Sequence, residues 1–237
     1  MRKNKISILS TRPAGKALVE EAASHSITLD EISFIRTEEN MNALTSKKIE
    51  QLSKQNINAV FTSMNAVEIV GKFVPSNSAW KIFCIGNTTK KLAESIFKTE
   101  NILGIADSAK ELAEIIISDP KIKKVYFFCG DQRRDELQEK LKNNNKEIEE
   151  LIVYKTIETS ETVLKKYDGI LFFSPSAVKS FFSKNSISTE TQLFAIGETT
   201  ANAIKLFTQQ NVITAGVPGK KNLVSQAINY FSNTQIS

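Results

Sequence analysis

The sequence predicts an α/β protein built on parallel sheets, and three observations carry that prediction. Short apolar runs of strand length alternate with stretches whose apolar residues recur at three- and four-residue spacing. Several runs, such as "KVYFF" at 124–128 and "GILFF" at 169–173, are continuously apolar, as strands buried on both faces are. The chain also repeats itself: "FTSMNAV" at 61–67 with "IGNTT" at 85–89 returns as "FFSPSAV" at 172–178 with "IGETT" at 196–200. Ser63 to Gly86 and Ser174 to Gly197 are the same distance apart. The shift of 111 (174 − 63) also superposes Lys110 on Lys221, Leu112 on Leu223 and Ile117 on Ile228, so a whole supersecondary block is duplicated.

Taken in order, strands are expected at 5–9, 31–35, 58–62, 81–85, 101–105, 124–128, 150–154, 169–173, 193–196 and 211–215. Helical patterns lie between them, among them "PAGKALVEEAASH" after the first strand, "SAKELAEIIIS" at 108–118 and "TTANAIKLF" at 199–207. Crossovers between such strands should be right-handed. A weaker duplication places 6–37 over 125–156, with Ser10 on Cys129, Leu18 on Leu137 and Arg36-Thr37 on Lys155-Thr156. The chain thus reads A-B-A-B. Polar stretches at 36–40, "RTEEN", and 155–161, "KTIETSE", follow the two A blocks and are candidate linkers.

Composition narrows the function. The 237 residues are 41% hydrophobic and 24% charged, ordinary for a soluble protein of two small domains. No apolar run approaches the roughly 20 residues of a membrane helix, and "MRKNKISILSTRP" lacks an apolar signal core, so a cytoplasmic protein is expected. Cys84 and Cys129 sit in apolar strands and read as reduced core thiols. The single histidine, His25, has no companion ligand, which argues against a histidine-based zinc site or triad. The net charge of +5 is spread over interleaved Lys, Arg and Glu, which argues against a nucleic-acid face and suits a small polyanion.

The repeated corners supply the candidate chemistry. In each copy an apolar strand runs into Ser63 or Ser174 and then a helix, with Asn65 and Ser176 as alternative caps and Pro175 suited to a first turn. Capping alone explains each serine. The second pair of corners, Gly86-Asn87-Thr88-Thr89 and Gly197-Glu198-Thr199-Thr200, again joins strand to helix, and glycine followed by helix-start amides makes an anion site. Four such corners at the carboxyl ends of strands exceed what capping requires, and that edge is where open parallel sheets bind ligands. Neither glycine turn is a P-loop or a GxGxxG fingerprint. Arg12 in "STRP" and Arg133-Arg134 in "GDQRRDEL" follow strands, where a guanidinium can pair with a carboxylate. Tyr154 ends the strand "LIVY" as a phenol beside the second polar stretch.

The ordered set "LSTRP", "AVFTS", "IGNTT", "CGDQRRDEL", "VYKT", "FFSPSAV" and "AIGETTA" spans nearly the whole chain and resembles the uroporphyrinogen-III synthase family. The resemblance implies two flavodoxin-like domains with parallel sheets, joined by a two-stranded linker, with residues 1–37 plus 158–237 in one and 38–157 in the other. It implies cyclisation of hydroxymethylbilane, an eight-carboxylate substrate held between the domains, with loss of water, inversion of the last pyrrole ring and no metal or organic cofactor. It carries Tyr154 over as the proton donor. Ser63, Thr88, Thr89, Ser174, Ser176, Thr199 and Thr200 would line the cleft, with Arg12 and Arg134 as carboxylate partners. Met64 departs from the proline that family members commonly show after "FTS"; the second copy keeps Pro175. The expected partner is this polycarboxylate alone, bound by a monomer, with neither nucleic acid nor membrane involved. A non-catalytic hinged binder of a small polyanion would share the fold and the four corners without needing Tyr154.

Overall fold

The computed structural model describes residues 5–133, 135–217 and 219–234. The chain divides into two compact units: one takes the residues up to Arg36 together with those from Ile157 onward, the other Thr37–Thr156.

The first unit holds a five-stranded sheet ordered β11-β10-β9-β1-β2, from β1 (Ile6–Ser10), β2 (Ile27–Glu31), β9 (Gly169–Phe172), β10 (Gln192–Ala195) and β11 (Val212–Thr214). All of its pairings are parallel. Helices α1 (Lys16–Ser24) and α9 (Lys220–Thr234) cover one face, burying Ala22, Leu223, Val224 and Ile228 against Ile8, Ile27 and Phe194. On the other face α7 (Pro175–Phe182) and α8 (Glu198–Lys205) set Val178, Phe181 and Ile204 on Leu9, Ile170 and Phe172. Central strands therefore lose their polar–apolar alternation; β9 is buried at every residue.

The second unit holds a six-stranded sheet ordered β3-β8-β7-β4-β5-β6. Its strands are β3 (Ile35–Glu39), β4 (Asn58–Phe61), β5 (Lys81–Ile85), β6 (Ile102–Ala106), β7 (Lys124–Gly130) and β8 (Glu147–Glu158). Helices α2 (Ala43–Ser53), α3 (Met64–Gly71) and α4 (Asn87–Phe97) pack on one face and α5 (Ala109–Ser118) and α6 (Glu136–Asn143) on the other. Under the first group lies an aromatic stack: fully buried Trp80 stands 5.2 Å from Phe128 and 5.9 Å from Phe97, and Phe61 stands 5.2 Å from Phe128. The indole N–H donates to the Leu52 carbonyl at 2.9 Å, which satisfies the one polar atom of the stack. Cys84 and Cys129 are buried and free, and burial pushes their thiols up to about 11 and about 12.

Two features differ from the sequence-based expectation. Residues 31–35 do not form one strand: 32–34 are the connection between β2, Ile27–Glu31, whose period-2 pattern buries Ile27 and Leu29, and β3, which begins at Ile35. "EISFI" is apolar because Phe34 plugs the core from a connection, edge-on to Phe181 at 5.2 Å. The polar stretches at 36–40 and 155–161 fall largely on β3 and the end of β8, neighbouring strands that carry the chain from one unit to the other. Most of β3 is exposed, so its polar sequence hides its extended conformation.

One ionic cluster ties the first unit's sheet to the segment before β9. Asp30 accepts from the Tyr167 hydroxyl at 2.9 Å and from Lys165 Nζ at 2.7 Å. The Lys165 hydrogen bond holds the Asp30 carboxyl below its ordinary value, burial opposing it and Tyr167 adding to it. A depressed carboxylate pKa stabilises the fold above the unfolded value near 3.8, and that contribution disappears as pH falls through the lower folded value. Asp30→Asn is therefore expected to cost about 0.5–1 kcal/mol at pH 7, since the pair is partly exposed. In urea titrations the gap from wild type should close as pH falls below that value; a gap independent of pH would remove the assignment.

Candidate functional site

Both sheets are doubly wound, and each has one place where the winding reverses. In the first unit β1 is followed by β2 on one side, while β9, β10 and β11 run away on the other, so the reversal lies between β1 and β9. This is the flavodoxin-like order, whose ligands bind outside the carboxyl ends at that point. In the second unit β4, β5 and β6 run one way and β7 and β8 the other, so the reversal lies between β4 and β7.

At the first reversal β1 ends in Ser10-Thr11-Arg12. Thr11 is fully buried and fastens the turn to β9, its N–H and hydroxyl both donating to the Leu171 carbonyl at 3.1 and 2.8 Å. Arg12, next in the chain, is exposed and spreads its guanidinium 5.6 Å above the Phe173 ring. Phe173 leads into Ser174, which caps α7: its side chain accepts from the Ala177 N–H at 3.2 Å, and Pro175 takes the first turn. Arg12, Ser174 and half-buried Ser176 thus share one end of the sheet. A cation over an aromatic face keeps its donors aimed outward, a suitable arrangement for a carboxylate.

The second reversal has the same plan with different groups. Ser63 caps α3 through the Asn65 N–H at 3.2 Å, and Met64 beside it is exposed. Across from it β7 ends in Gly130-Asp131, against which β8 brings Tyr154. The half-buried phenol lies near the Ser63 side chain, which acts on its titration. Burial raises the Tyr154 pKa above the ordinary tyrosine value; Ser63 opposes the rise, and Cys129 and Asp131 add to it. The phenol therefore keeps its proton across the neutral range and can act there as an acid, not as a phenolate base.

The glycine corners lie one strand further out, after β5 and β10. Gly86, at φ 80° and ψ 148°, takes a conformation closed to side chains, whereas Gly197 at φ 179° is ordinary extended backbone. Both precede helices whose first amides point along the dipole. In each hydroxyl pair the first residue, Thr88 or Thr199, is exposed, while Thr89 and Thr200 are buried. What each corner offers a ligand is therefore backbone N–H groups and one threonine hydroxyl.

Of the basic pair in "GDQRRDEL", Arg133 is held by Glu150, to which its Nε and guanidinium both bond. Arg134 lies outside the described residues. Sequence reasoning passed over Gly130 and Asp131, although a glycine closing the apolar run "KVYFFC" was the available signal. Asp131 clamps β8: its N–H donates to the Tyr154 carbonyl at 3.2 Å, and its carboxylate accepts from the Thr156 N–H at 2.9 Å.

A family model described as uroporphyrinogen-III synthase HemD matches residues 16–225. The chain belongs to that family. Uroporphyrinogen-III synthases are lyases of haem biosynthesis, and the two parallel sheets seen here are their architecture. The chain is similar to the uroporphyrinogen-III synthetase of Helicobacter pylori, at 15% identity and a TM-score of 0.69, over 95% of this chain and 99% of that one. It is also similar to a mutant uroporphyrinogen III synthase of Thermus thermophilus, at 12% identity and a TM-score of 0.62, over 97% and 99%. These likenesses concern the fold. No curated protein sequence matches the chain. Among the described residues no helix is long and apolar enough to cross a membrane.

Proposed function

We propose that this chain cyclises hydroxymethylbilane to uroporphyrinogen III in the cytoplasm. The terminal hydroxyl leaves as water, and the last pyrrole ring is inverted through a spiro intermediate before the ring closes. Family membership supports the reaction, and the single structural observation that carries it is the placing of a half-buried tyrosine, Tyr154, near Ser63 at the carboxyl-end reversal of a doubly wound sheet.

The substrate's eight carboxylates require anion contacts. Arg12, Ser174, Ser176, Ser63, Thr88 and Thr199 supply them, together with helix-start amides that Thr89 and Thr200 help position from within; Arg134 is the further partner that the family resemblance adds. The C–O bond breaks with its electron pair going to oxygen, which takes up a proton and departs as water. Tyr154 donates the hydrogen bond that accompanies this departure. With its pKa raised above the ordinary tyrosine value by burial it is a weak acid, so it assists chiefly by orienting and polarising the leaving oxygen. The larger task is conformational, since holding the chain folded favours attack at the substituted carbon of the last ring. The family reaction calls on no metal or organic cofactor.

The test is incubation with freshly made hydroxymethylbilane, oxidation of the products and separation of the porphyrin isomers. The expected product is type III. Type I alone, formed at the rate without enzyme, would overturn the reading and favour a non-catalytic polyanion binder.

A further inference from the structure

Gly130 ends β7 without a side chain, and its backbone does not explain why. Among the described glycines only Gly15 and Gly86 have φ between about +20° and +160°, so the conformation of Gly130 is open to alanine. Space is what it lacks. A Cβ on Gly130 would stand 2.4 Å from Cε2, 2.5 Å from Cζ and 2.9 Å from Oη of Tyr154, and these are its three nearest atoms. The obstacle is thus the reactive end of one phenol, lying flat on the strand.

The phenol reaches that place because β8 breaks its own alternation. The parallel register runs from Lys124 opposite Glu147 to Cys129 opposite Ile152 and then skips, so that Gly130 faces Tyr154 and β8 carries an extra residue. Before the skip Ile148 and Ile152 pack on the α5–α6 face, and Leu151 and Val153 on the α2–α4 face. Regular alternation would send Tyr154 after Ile152, towards the face where Glu150 meets Arg133. Instead it packs with Val153, on the side where α3 begins at Ser63. Asn40 secures the skip, its N–H donating to the Val153 carbonyl at 2.8 Å and its side-chain amide to that of Ile152 at 3.0 Å.

The geometry points to Gly130 as a positioning residue for Tyr154: with no Cβ it leaves room for the phenol to lie across the strand end, on the face to which the β8 bulge turns it. This rests on the reading of Tyr154 as the proton donor.

Gly130→Ala is expected to lower kcat by about ten-fold or more, towards the level of Tyr154→Phe, with KM changed by less than about two-fold. Added to a Tyr154→Phe background, it should lower kcat by less than about two-fold further, because the group it displaces is already gone. In the substrate-free enzyme, 13C-labelled tyrosine NMR should show the Tyr154 Cζ resonance moved and its titration shifted down towards the ordinary value. Unchanged kcat in Gly130→Ala, or an equal loss with and without the Tyr154 hydroxyl, would overturn the proposal. Should Gly130→Ala not fold, adding Tyr154→Ala removes the obstacle and is expected to restore folding; failure to do so also overturns it. If Tyr154→Phe keeps full kcat, the donor reading fails instead, and the NMR measurement still decides whether Gly130 sets the ring.

Discussion

Tyr154→Phe is expected to lower kcat by about ten-fold or more, a floor set below the roughly 10²–10⁴-fold typical of a general acid because the phenol assists chiefly by orientation. The substitution keeps the ring, its seat on Gly130 and its packing beside Val153, and deletes only the hydroxyl. Stability should therefore stay close to wild type and the loss should fall on kcat with KM little changed, since the phenol is not among the carboxylate contacts. The raised pKa also fixes a sign. A phenol held above the ordinary tyrosine value gives no limb of its own to the pH profile across the neutral range, so wild type and variant should run parallel there. A variant with unaltered kcat would remove the role from Tyr154.

Trp80→Ala should unfold rather than disarm. The indole is fully buried, stacked on Phe97 and Phe128, and donates to the Leu52 carbonyl. Truncation of a buried aromatic costs about 3–5 kcal/mol through lost transfer energy and the cavity left behind. Against a domain stability of about 5–15 kcal/mol this is a large share, so a greatly lowered urea midpoint is expected. Trp80→Phe keeps most of the stack and should lose distinctly less. Equal losses for the two variants would mean that the hydrogen bond, not the stack, holds this core.

The sequence made the sheets legible because their strands are buried on both faces, which leaves continuous apolar runs such as "GILFF" that no surface strand would carry. The corners were legible because a helix start needs a cap, and caps and glycines recur at fixed spacing at Ser63, Gly86, Ser174 and Gly197, although only Gly86 takes a φ that glycine favours. Ile27–Glu31 was missed because the neighbouring "EISFI" looked more apolar, although that came from a plug residue, Phe34, rather than from a strand. The seat of Tyr154 was not legible at all. It depends on a one-residue skip between β7 and β8, and a skip leaves no trace in local pattern. The burial that separates Thr88 from Thr89 is likewise a property of helix rotation against a sheet rather than of the dipeptide.

The order in which the strands of the first unit are joined sets a delay on the ribosome. Strand Ile6–Ser10 pairs with Gly169–Phe172, Ile8 standing opposite Gly169, and the whole of the other unit is made in between. The early hairpin-sized piece must wait, its apolar edge uncovered, while Thr37–Thr156 can already collapse on itself as it emerges. At about 5–20 residues per second that wait lasts on the order of ten seconds or more. For that interval the nascent chain is a finished module trailing an unfinished one, and its leading segment is a natural client for a holdase chaperone.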